Sequence, residues 1–334
     1  MNRWNSSTHS IISSIASAFF LLFLSVHSVS GQVNLIYNPD FELYDSCPSG
    51  ISSPGNPQIQ SCSGWTMPTL ATSDYFNTCT NMGVGIPLNF AGYQQTYSGN
   101  AYLGFYAFSN STYPWYEYIQ GHTTVPLVSG SLYKFSCRIS RADAFEYAVS
   151  AIGICFSPNP ISRNDTYPFM NVTPQIQNPL GQFISDTANW ILIDGYFTAQ
   201  VNERYITIGY FQDTLSTDYI QLYSVNNLFN SYYLIDSLWL TEVQSQLSAP
   251  NVFTPNNDGI NDIFIIQSTN IIGTVSVYNR WGNQVASFSL ENGWNGNDNS
   301  GQPCSEGVYY AYVNGTGTDK KKYNSTYYFH LFRN

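Results

Sequence analysis

Short stretches in which apolar and polar residues alternate recur along most of the chain. A period of two is typical of a strand with one buried face, and no segment carries the 3.6-residue period of a long amphipathic helix. Clusters of Gly, Pro, Asn and Ser separate the stretches, as expected for loops. The pattern predicts an all-β protein whose clearest strands are 102–108, 133–139, 190–197, 205–211 and 232–241.

The first thirty-one residues follow a different pattern. Arg3 precedes an apolar stretch that is densest at 16–26, and the small residues Ser30 and Gly31 stand before Gln32. This order predicts a cleaved signal peptide over residues 1–31. The alternative is an N-terminal membrane anchor, although the dense apolar part is short for a bilayer about 30 Å thick. No later apolar run reaches spanning length, so we expect no transmembrane segment in the mature chain.

Composition and charge narrow the classes of partner. Only 10% of the residues are charged, 16% are aromatic, and the net charge is −10 with a pI near 4.6. A polar, uncharged and aromatic-rich surface suits an exported β protein. The acidic balance provides no basic surface for nucleic acid or anionic lipid, so we expect neither as a partner.

A short polar stretch at 243–249, followed by Pro250, divides the mature chain. We place the domains at 32–246 and 247–334, with most of the negative charge in the first. Many short strands separated by turn residues indicate a β-sandwich or jelly roll for the first domain.

An oxidising compartment would allow at most two disulfides among the five cysteines of the first domain. The strand-like runs 132–139 and 149–156 carry Cys137 and Cys155, and could pair as an antiparallel hairpin. This geometry permits a Cys137–Cys155 bridge. Two buried free thiols are the alternative. No Cys/His spacing of a zinc site is present, and the two histidines left after signal removal provide little for Ser-His-Asp catalysis.

The most specific motifs lie in the second domain. They read PNVFTPNNDGIND at 250–262, VYNRWG at 277–282, WNG at 294–296 and PCSEGVYYAY at 303–312. Together they closely resemble the gliding motility-associated C-terminal domain, the type B sorting domain of type IX secretion. The resemblance implies a small immunoglobulin-like β-sandwich, recognition by the type IX export machinery, and a secreted or outer cell-surface location.

Two further expectations concern this second domain. Turn residues in 256–262 either bind Ca²⁺ through Asp258 and Asp262, because hard cations take several oxygen ligands, or simply cap backbone groups. We also expect five aromatic side chains to fill the small core: Trp281, Phe288, Trp294, Tyr310 and Tyr312.

The first domain carries a weaker resemblance. NLIYNPDFE at 34–42, VSGSLY at 128–133, GYFTA at 195–199 and YLIDSL at 233–238 occur in the order found in galactose-binding-like jelly rolls, which include many carbohydrate-binding modules. The resemblance implies a structural Ca²⁺ near the first and last strands, with Glu42 and Asp236 as ligands. In the alternative, Glu42 caps the following loop and Asp236 accepts hydrogen bonds from backbone amides.

Aromatic residues in loop-like stretches are the candidates for ligand binding, since sugars stack on exposed rings beside polar groups. We select one carboxylate and four aromatic residues: Trp115, Tyr116, Trp65, Tyr75 and Glu117.

The sequence therefore predicts a non-catalytic glycan- or matrix-binding module joined to a sorting domain. The alternative is a structural or adhesive surface protein that binds another protein. A glycoside hydrolase is a further alternative, because many carboxylates are available, but none lies in a recognisable catalytic motif.

Overall fold

The computed structural model of the protein describes residues 32–109, 115–165, 169–213, 218–223 and 230–333. The predicted signal peptide, residues 1–31, lies outside the described residues. Within these ranges the protein is built from strands, and the helical structure is limited to the 3₁₀ turn Gln58–Ser61. No described helix has the length and apolar character needed to cross a membrane. The prediction of an all-β protein is confirmed.

Thirteen strands are described before residue 243. They are β1 (Asp74–Asn77), β2 (Leu88–Asn89), β3 (Gly92–Tyr93), β4 (Ala101–Ser109), β5 (Tyr118–His122), β6 (Leu132–Arg141), β7 (Tyr147–Val149), β8 (Ile152–Ser157), β9 (Ile176–Gln177), β10 (Ile191–Thr198), β11 (Tyr205–Tyr210), β12 (Tyr219–Gln221) and β13 (Asn230–Glu242).

Most of these strands form two packed sheets. The five-stranded sheet has the order β1-β4-β13-β6-β10, and the four-stranded sheet has the order β5-β11-β8-β9. The chain crosses repeatedly between them, because β4, β6, β10 and β13 belong to the first sheet while β5, β8 and β11 belong to the second. This alternation makes the first part of the chain the predicted jelly-roll sandwich.

Apolar residues at every second position of the strands fill the space between the sheets. The five-stranded sheet contributes Leu103, Phe135 and Ile235, and the four-stranded sheet contributes Ile119 and Ile208, all of them fully buried. On β6 the residues between the buried ones, such as Ser136, point to the outer face. Strand periodicity therefore gives the five-stranded sheet an inner core face and an outer face.

The outer face of this sheet is covered over β1, β4 and the first half of β13. A second apolar cluster lies there, in which Phe76, Tyr102 and Tyr232 from the sheet pack against Phe90 from the segment after β2. Trp190 borders this cluster and contacts the ring of Tyr102 edge-on. Beyond Trp190, the described residues form no such apolar cluster over the outer face of β6, β10 and the second half of β13.

The cysteines resolve the alternatives left open by the sequence. Cys47 and Cys79 form a disulfide, whereas Cys62, Cys137 and Cys155 are buried free thiols. The predicted hairpin between the Cys137 and Cys155 runs is wrong, because β6 pairs with β10 and β13 while β8 pairs with β9 and β11 of the other sheet. For Cys137 and Cys155 the second alternative, two buried free thiols, is therefore correct.

Seven strands follow in the second part of the chain. They are β14 (Gln246–Ser248), β15 (Val252–Phe253), β16 (Gln267–Thr269), β17 (Ile271–Asn279), β18 (Gln284–Ser289), β19 (Gly307–Gly317) and β20 (Lys322–Leu331). A five-stranded sheet of order β15-β20-β19-β17-β18 and a ribbon of β14 and β16 enclose a separate apolar core. This is the predicted small immunoglobulin-like sandwich.

The expected core of this second sandwich is correct only in part. Trp294 is buried and Phe288 packs partly against the core, but Trp281, Tyr310 and Tyr312 are exposed. The register of β19 turns Tyr309 inward, where its ring meets Trp294. Because strand side chains alternate, Tyr310 and Tyr312 must then lie on the opposite face.

The predicted domain boundary near 243–249 stays a prediction. β14 lies inside this stretch and pairs with β16. Buried apolar residues on either side of the stretch belong to different clusters.

Candidate functional site on the open sheet face

Three of the aromatic residues predicted to bind ligand belong to the core. Trp65, Tyr75 and Tyr116 are almost completely buried. The Trp65 indole N–H donates to the carbonyl of Asn38 at 2.9 Å, and the Tyr75 hydroxyl donates to the carbonyl of Phe41 at 3.0 Å. The expectation that these rings are exposed is corrected: their apolar area is used to fill the sandwich.

Glu117, the predicted polar partner of those rings, is also fully buried. Its carboxylate accepts hydrogen bonds from the backbone N–H groups of Thr72 and Tyr106, at 3.0 and 2.9 Å. Trp115 is half-buried, and its indole N–H donates to the same carboxylate at 3.0 Å. Trp115 and Glu117 therefore contact each other, but the five predicted residues do not form one exposed surface.

A second buried carboxyl, Asp74, lies close to Glu117. It accepts hydrogen bonds from the Ser52 backbone N–H and the Tyr232 hydroxyl, both at 2.7 Å. Burial, together with the charge of Glu117, raises the pKa of Asp74 to about 8, and burial raises the pKa of Glu117. Shifts of this kind occur in acid catalysts, but both carboxyls are closed off from solvent and substrate.

The two carboxylates predicted to hold calcium in the first domain meet at one turn, residues 97–100. Glu42 accepts hydrogen bonds from the backbone and side-chain N–H groups of Asn100, at 2.6 and 3.1 Å. Asp236 is buried and accepts from the backbone N–H groups of Tyr97 and Ser98, at 2.8 and 3.0 Å. Burial raises the pKa of Asp236 to about 7. The contacts of Asp236 match its alternative expectation, whereas Glu42 caps the distant turn 97–100 and not the loop that follows it.

The second candidate calcium loop has the same character. Asp262 accepts hydrogen bonds from the backbone N–H groups of Asn256, Asn257 and Gly259, at 2.9, 2.6 and 2.8 Å. Asp258 accepts from the Ile260 N–H at 2.8 Å. These are the capping contacts of the alternative expectation. Among the described residues no group of three or more His, Cys, Asp or Glu side chains is placed to share a metal ion.

Calcium binding at Glu42 and Asp236 stays a prediction with a direct test. A ligand that binds only the folded chain raises its stability by mass action. We expect the melting temperature of the protein to be higher in calcium than in chelator, and this difference to vanish in Glu42→Gln. Equal melting temperatures of the unmodified protein in both buffers would contradict the prediction.

The uncovered part of the five-stranded sheet presents a different set of aromatic residues. We call the outward side chains of β6, β10 and residues 239–241 of β13, together with Tyr97, the open face. Trp239, Tyr196 and Tyr97 lie on it with exposed fractions of 43%, 58% and 48%. Leu192 is 47% exposed beside them.

Strand register arranges this face in rows. Trp239 lies opposite Ser136, which lies opposite Asp194. The row on one side of Ser136 consists of Thr241, Lys134 and Tyr196, with Lys134 in the middle. In the row on the other side of Ser136, Arg138 lies opposite Leu192. Since neighbouring strands are about 4.8 Å apart, the strands that carry Trp239 and Tyr196 are about 10 Å apart. Polar side chains thus fill the space between exposed rings.

Charged groups hold two of the rings in place. The Arg138 guanidinium lies 4.6 Å from the centre of the Tyr97 ring, and the Lys134 ammonium lies 5.6 Å from the centre of the Tyr196 ring. Lys134 also approaches Asp194 at 3.9 Å. Cation–π contacts of this kind orient an exposed ring at a modest energetic gain.

A groove of about 510 Å³ continues the open face past its edge strand. It lies between residues 191–194 of β10 and the segment 177–186. Leu192 and Asp194 belong to both the groove and the open face. The surface available to a ligand therefore extends from Trp239 across three strands and over the sheet edge.

Residues 247–331 match the protein family described as CHU_C Type IX secretion signal domain. The match covers the part of the chain whose motifs predict a type IX sorting domain, so this prediction is confirmed. The protein is a secreted or cell-surface protein that carries a type IX export signal, and the export machinery is a partner of that signal. The predicted location is confirmed.

Solved structures with a partly similar fold have low sequence identity to this chain. The arabinose-bound MgGH51 α-L-arabinofuranosidase is 12% identical, with 64% of this chain and 27% of that chain covered and a TM-score of 0.36. The CBM22-1-GH10 modules of xylanase 10B from Clostridium thermocellum are 10% identical, with 67% of this chain and 30% of that chain covered and a TM-score of 0.31. The CBM22-1-CBM22-2 tandem domain of Xyn10C from Paenibacillus barcinonensis is 9% identical, with 86% of this chain and 91% of that chain covered and a TM-score of 0.32.

The chain spans less than a third of the length of the first two of these structures. No curated protein matches the chain at a significant level. None of the three structural likenesses identifies a ligand for this chain.

Proposed function

We propose that this exported protein is a non-catalytic binding protein whose open face takes up a polysaccharide of the extracellular matrix. The proposal rests on one observation, the three exposed aromatic rings on one side of a rigid sheet with polar side chains between them. The C–H face of a sugar ring is apolar and packs on an aromatic ring, while its hydroxyl groups need polar partners.

Energetics support a binding role for this face. The first domain buries most of its large aromatic side chains, so rings left in water on one surface carry an apolar area that a partner could remove from water. Trp239 and Tyr196 lie on strands, and the contact with Arg138 orients the ring of Tyr97 before any ligand arrives. Such preorganisation lowers the entropy lost on binding.

The non-catalytic part of the proposal is supported by the buried carboxyl pair. A glycosidase needs two carboxyl groups on either side of a substrate cleft. Asp74 and Glu117 have raised pKa values but are closed off from solvent. Two carboxylates line the groove beside the open face: Asp194, which approaches Lys134, and Asp186, which accepts hydrogen bonds from the backbone N–H groups of Ala188 and Asn189.

A protein partner is the second candidate. β10 pairs with β6 on one side, and its other side borders the groove. An extended peptide can add to an edge strand of this kind through main-chain hydrogen bonds. Trp, Tyr and Arg, which the open face carries, are also the side chains most enriched in protein-binding hot spots.

A polysaccharide array with the mature chain, residues 32–334, tests the proposal. We expect binding to at least one polysaccharide, weakened about tenfold or more by Trp239→Ala and by Tyr196→Ala, because each change removes one stacking ring. Trp281→Ala and Tyr93→Ala are matched controls, since both remove exposed rings outside the open face. These controls should bind like the unmodified protein.

Three results would count against the proposal. Lack of binding to every polysaccharide would overturn it in favour of the protein partner. Equal losses in the open-face variants and in the controls would show that the rings act nonspecifically. Release of reducing sugar from a bound polysaccharide would contradict the non-catalytic assignment.

A further inference from the structure

Arg138 lies in the middle of the open face, on β6 between β13 and β10. The side chain is half-buried, and its guanidinium lies over the Tyr97 ring, 4.6 Å from the ring centre. Among the described residues no hydrogen bond or ion pair engages its five N–H donors. A half-buried guanidinium without an acceptor gives up hydration that a bound acceptor would replace.

Neighbouring cations differ from Arg138 in this respect. Arg141, on the same strand, donates to the backbone carbonyls of Ser185 and Ala142, both at 3.2 Å. Lys134 approaches Asp194 at 3.9 Å. A structural role in joining loops or pairing charges therefore explains Arg141 and Lys134, but it does not explain Arg138.

Asp236, the carboxyl opposite Arg138 in the strand register, does not serve as its partner. Its oxygens accept hydrogen bonds from the backbone N–H groups of Tyr97, Ser98 and Ser237 instead. The same contacts hold the backbone of Tyr97 in position, and the guanidinium lies over the Tyr97 ring. No described residue therefore supplies an acceptor for the guanidinium, and its N–H groups can bind an acceptor from a ligand.

We propose that the ligand of the open face is an anionic polysaccharide whose carboxylate or sulfate group binds Arg138. This inference rests on the proposed function and identifies the class of polysaccharide. A guanidinium carries pairs of parallel N–H groups, which match the two oxygens of a carboxylate or sulfate. The row of Trp239 and Ser136 lies about 7 Å away, so a sugar stacked on Trp239 can place its charged substituent at Arg138.

The net negative charge of the first domain limits where a polyanion can bind. Residues 32–246 contain fifteen Asp and Glu against five Lys and Arg. Two of the five cations, Lys134 and Arg138, lie on the open face. A polyanion is repelled by most of the domain surface, so binding at this face requires the local contact that Arg138 supplies.

Matched pairs of polysaccharides test the inference on the mature chain. Polygalacturonate is compared with its methyl ester, which keeps the sugar backbone and loses the charge, and dextran sulfate is compared with dextran. We expect the anionic member of at least one pair to bind about tenfold tighter, in line with a charge-assisted hydrogen bond. Preference in the first pair identifies a carboxylate ligand and preference in the second identifies a sulfate ligand.

Three variants then assign the preference. Arg138→Gln should abolish the preference, so that the anionic and neutral members of each pair bind this variant equally, and Arg138→Lys should restore part of the preference. Arg204→Gln, which removes an exposed cation at the other sheet, should leave it intact. Equal binding within both pairs, or a preference that survives Arg138→Gln, would overturn the inference and leave the proposed function standing. Absence of binding to these four probes and to the whole polysaccharide array would overturn the proposed function itself.

Discussion

Removal of residues 247–334 is expected to abolish export of the protein to the medium and the cell surface. These residues contain the match to the type IX secretion signal domain. They also form a core of their own, in which Phe253, Trp294 and Phe329 are buried together. The measurement is an immunoblot of medium, cell surface and cell interior in a host with a working type IX system.

Two point variants accompany the truncation, one outside the signal domain and one inside its core. Trp239→Ala changes the open face and leaves the signal domain untouched, so it should be exported normally. Trp294→Ala leaves a cavity in the core of the signal domain, at a cost of about 3–5 kcal/mol, and should reduce export. Normal export of the truncated chain would refute the assignment of the signal.

Asp74→Asn is expected to make the protein more stable at pH 8 and to flatten its pH dependence. In the folded chain the pKa of Asp74 is raised from 3.8 to about 8, by burial and by the charge of Glu117. Between these two values the unfolded chain has lost the proton that the folded chain keeps. Stability therefore falls as pH rises through this range, by about 1.4 kcal/mol per pH unit for one such group.

The raised pKa values of Glu117 and Asp236 act in the same direction. Their contribution, like that of Asp74, is fully present below the unfolded values and is lost as pH rises through the folded values. Urea unfolding at about pH 4.5, 6 and 8 measures the effect. Asp74→Asn keeps an oxygen that can accept from Ser52, so its midpoint should exceed that of the unmodified protein most at pH 8.

The exposed Asp45 provides the matched control for this prediction. Asp45→Asn removes the same charge from the surface and should leave the pH profile of the midpoint unchanged. A profile of the unmodified protein that rises between pH 4.5 and 8 would contradict the prediction, as would a midpoint of Asp74→Asn that follows the unmodified protein at every pH.

The strands themselves follow from local sequence. The alternating stretches 102–108, 133–139, 190–197, 205–211 and 232–241 agree with β4, β6, β10, β11 and β13 to within a few residues. A period of two depends on neighbouring residues alone, so it can be recognised without knowing the partners of a strand. The export signal was also recognisable, because its motifs lie close together along the chain.

The binding surface did not follow from the same pattern. Alternation shows that Trp239 and its neighbours Leu238 and Leu240 point to opposite faces, but it does not show which face is covered. That depends on the segment after β2, which lies more than a hundred residues away and packs over Tyr232 but ends before Trp239. Loop-like surroundings made Trp115 and Tyr116 better candidates than a tryptophan inside an apolar strand.

Side-chain partners were likewise beyond the reach of the sequence. Arg138 and Arg141 belong to one strand and have the same chemistry, yet Arg138 lacks an acceptor among the described residues and Arg141 donates to the carbonyl of Ser185 in a distant segment. Asp74 and Glu117 are 43 positions apart, and β1 and the start of β5 bring them together. Local periodicity determines where strands form and which residues share a face. Burial, pKa and ligand access arise from long-range packing, which determines what covers each face.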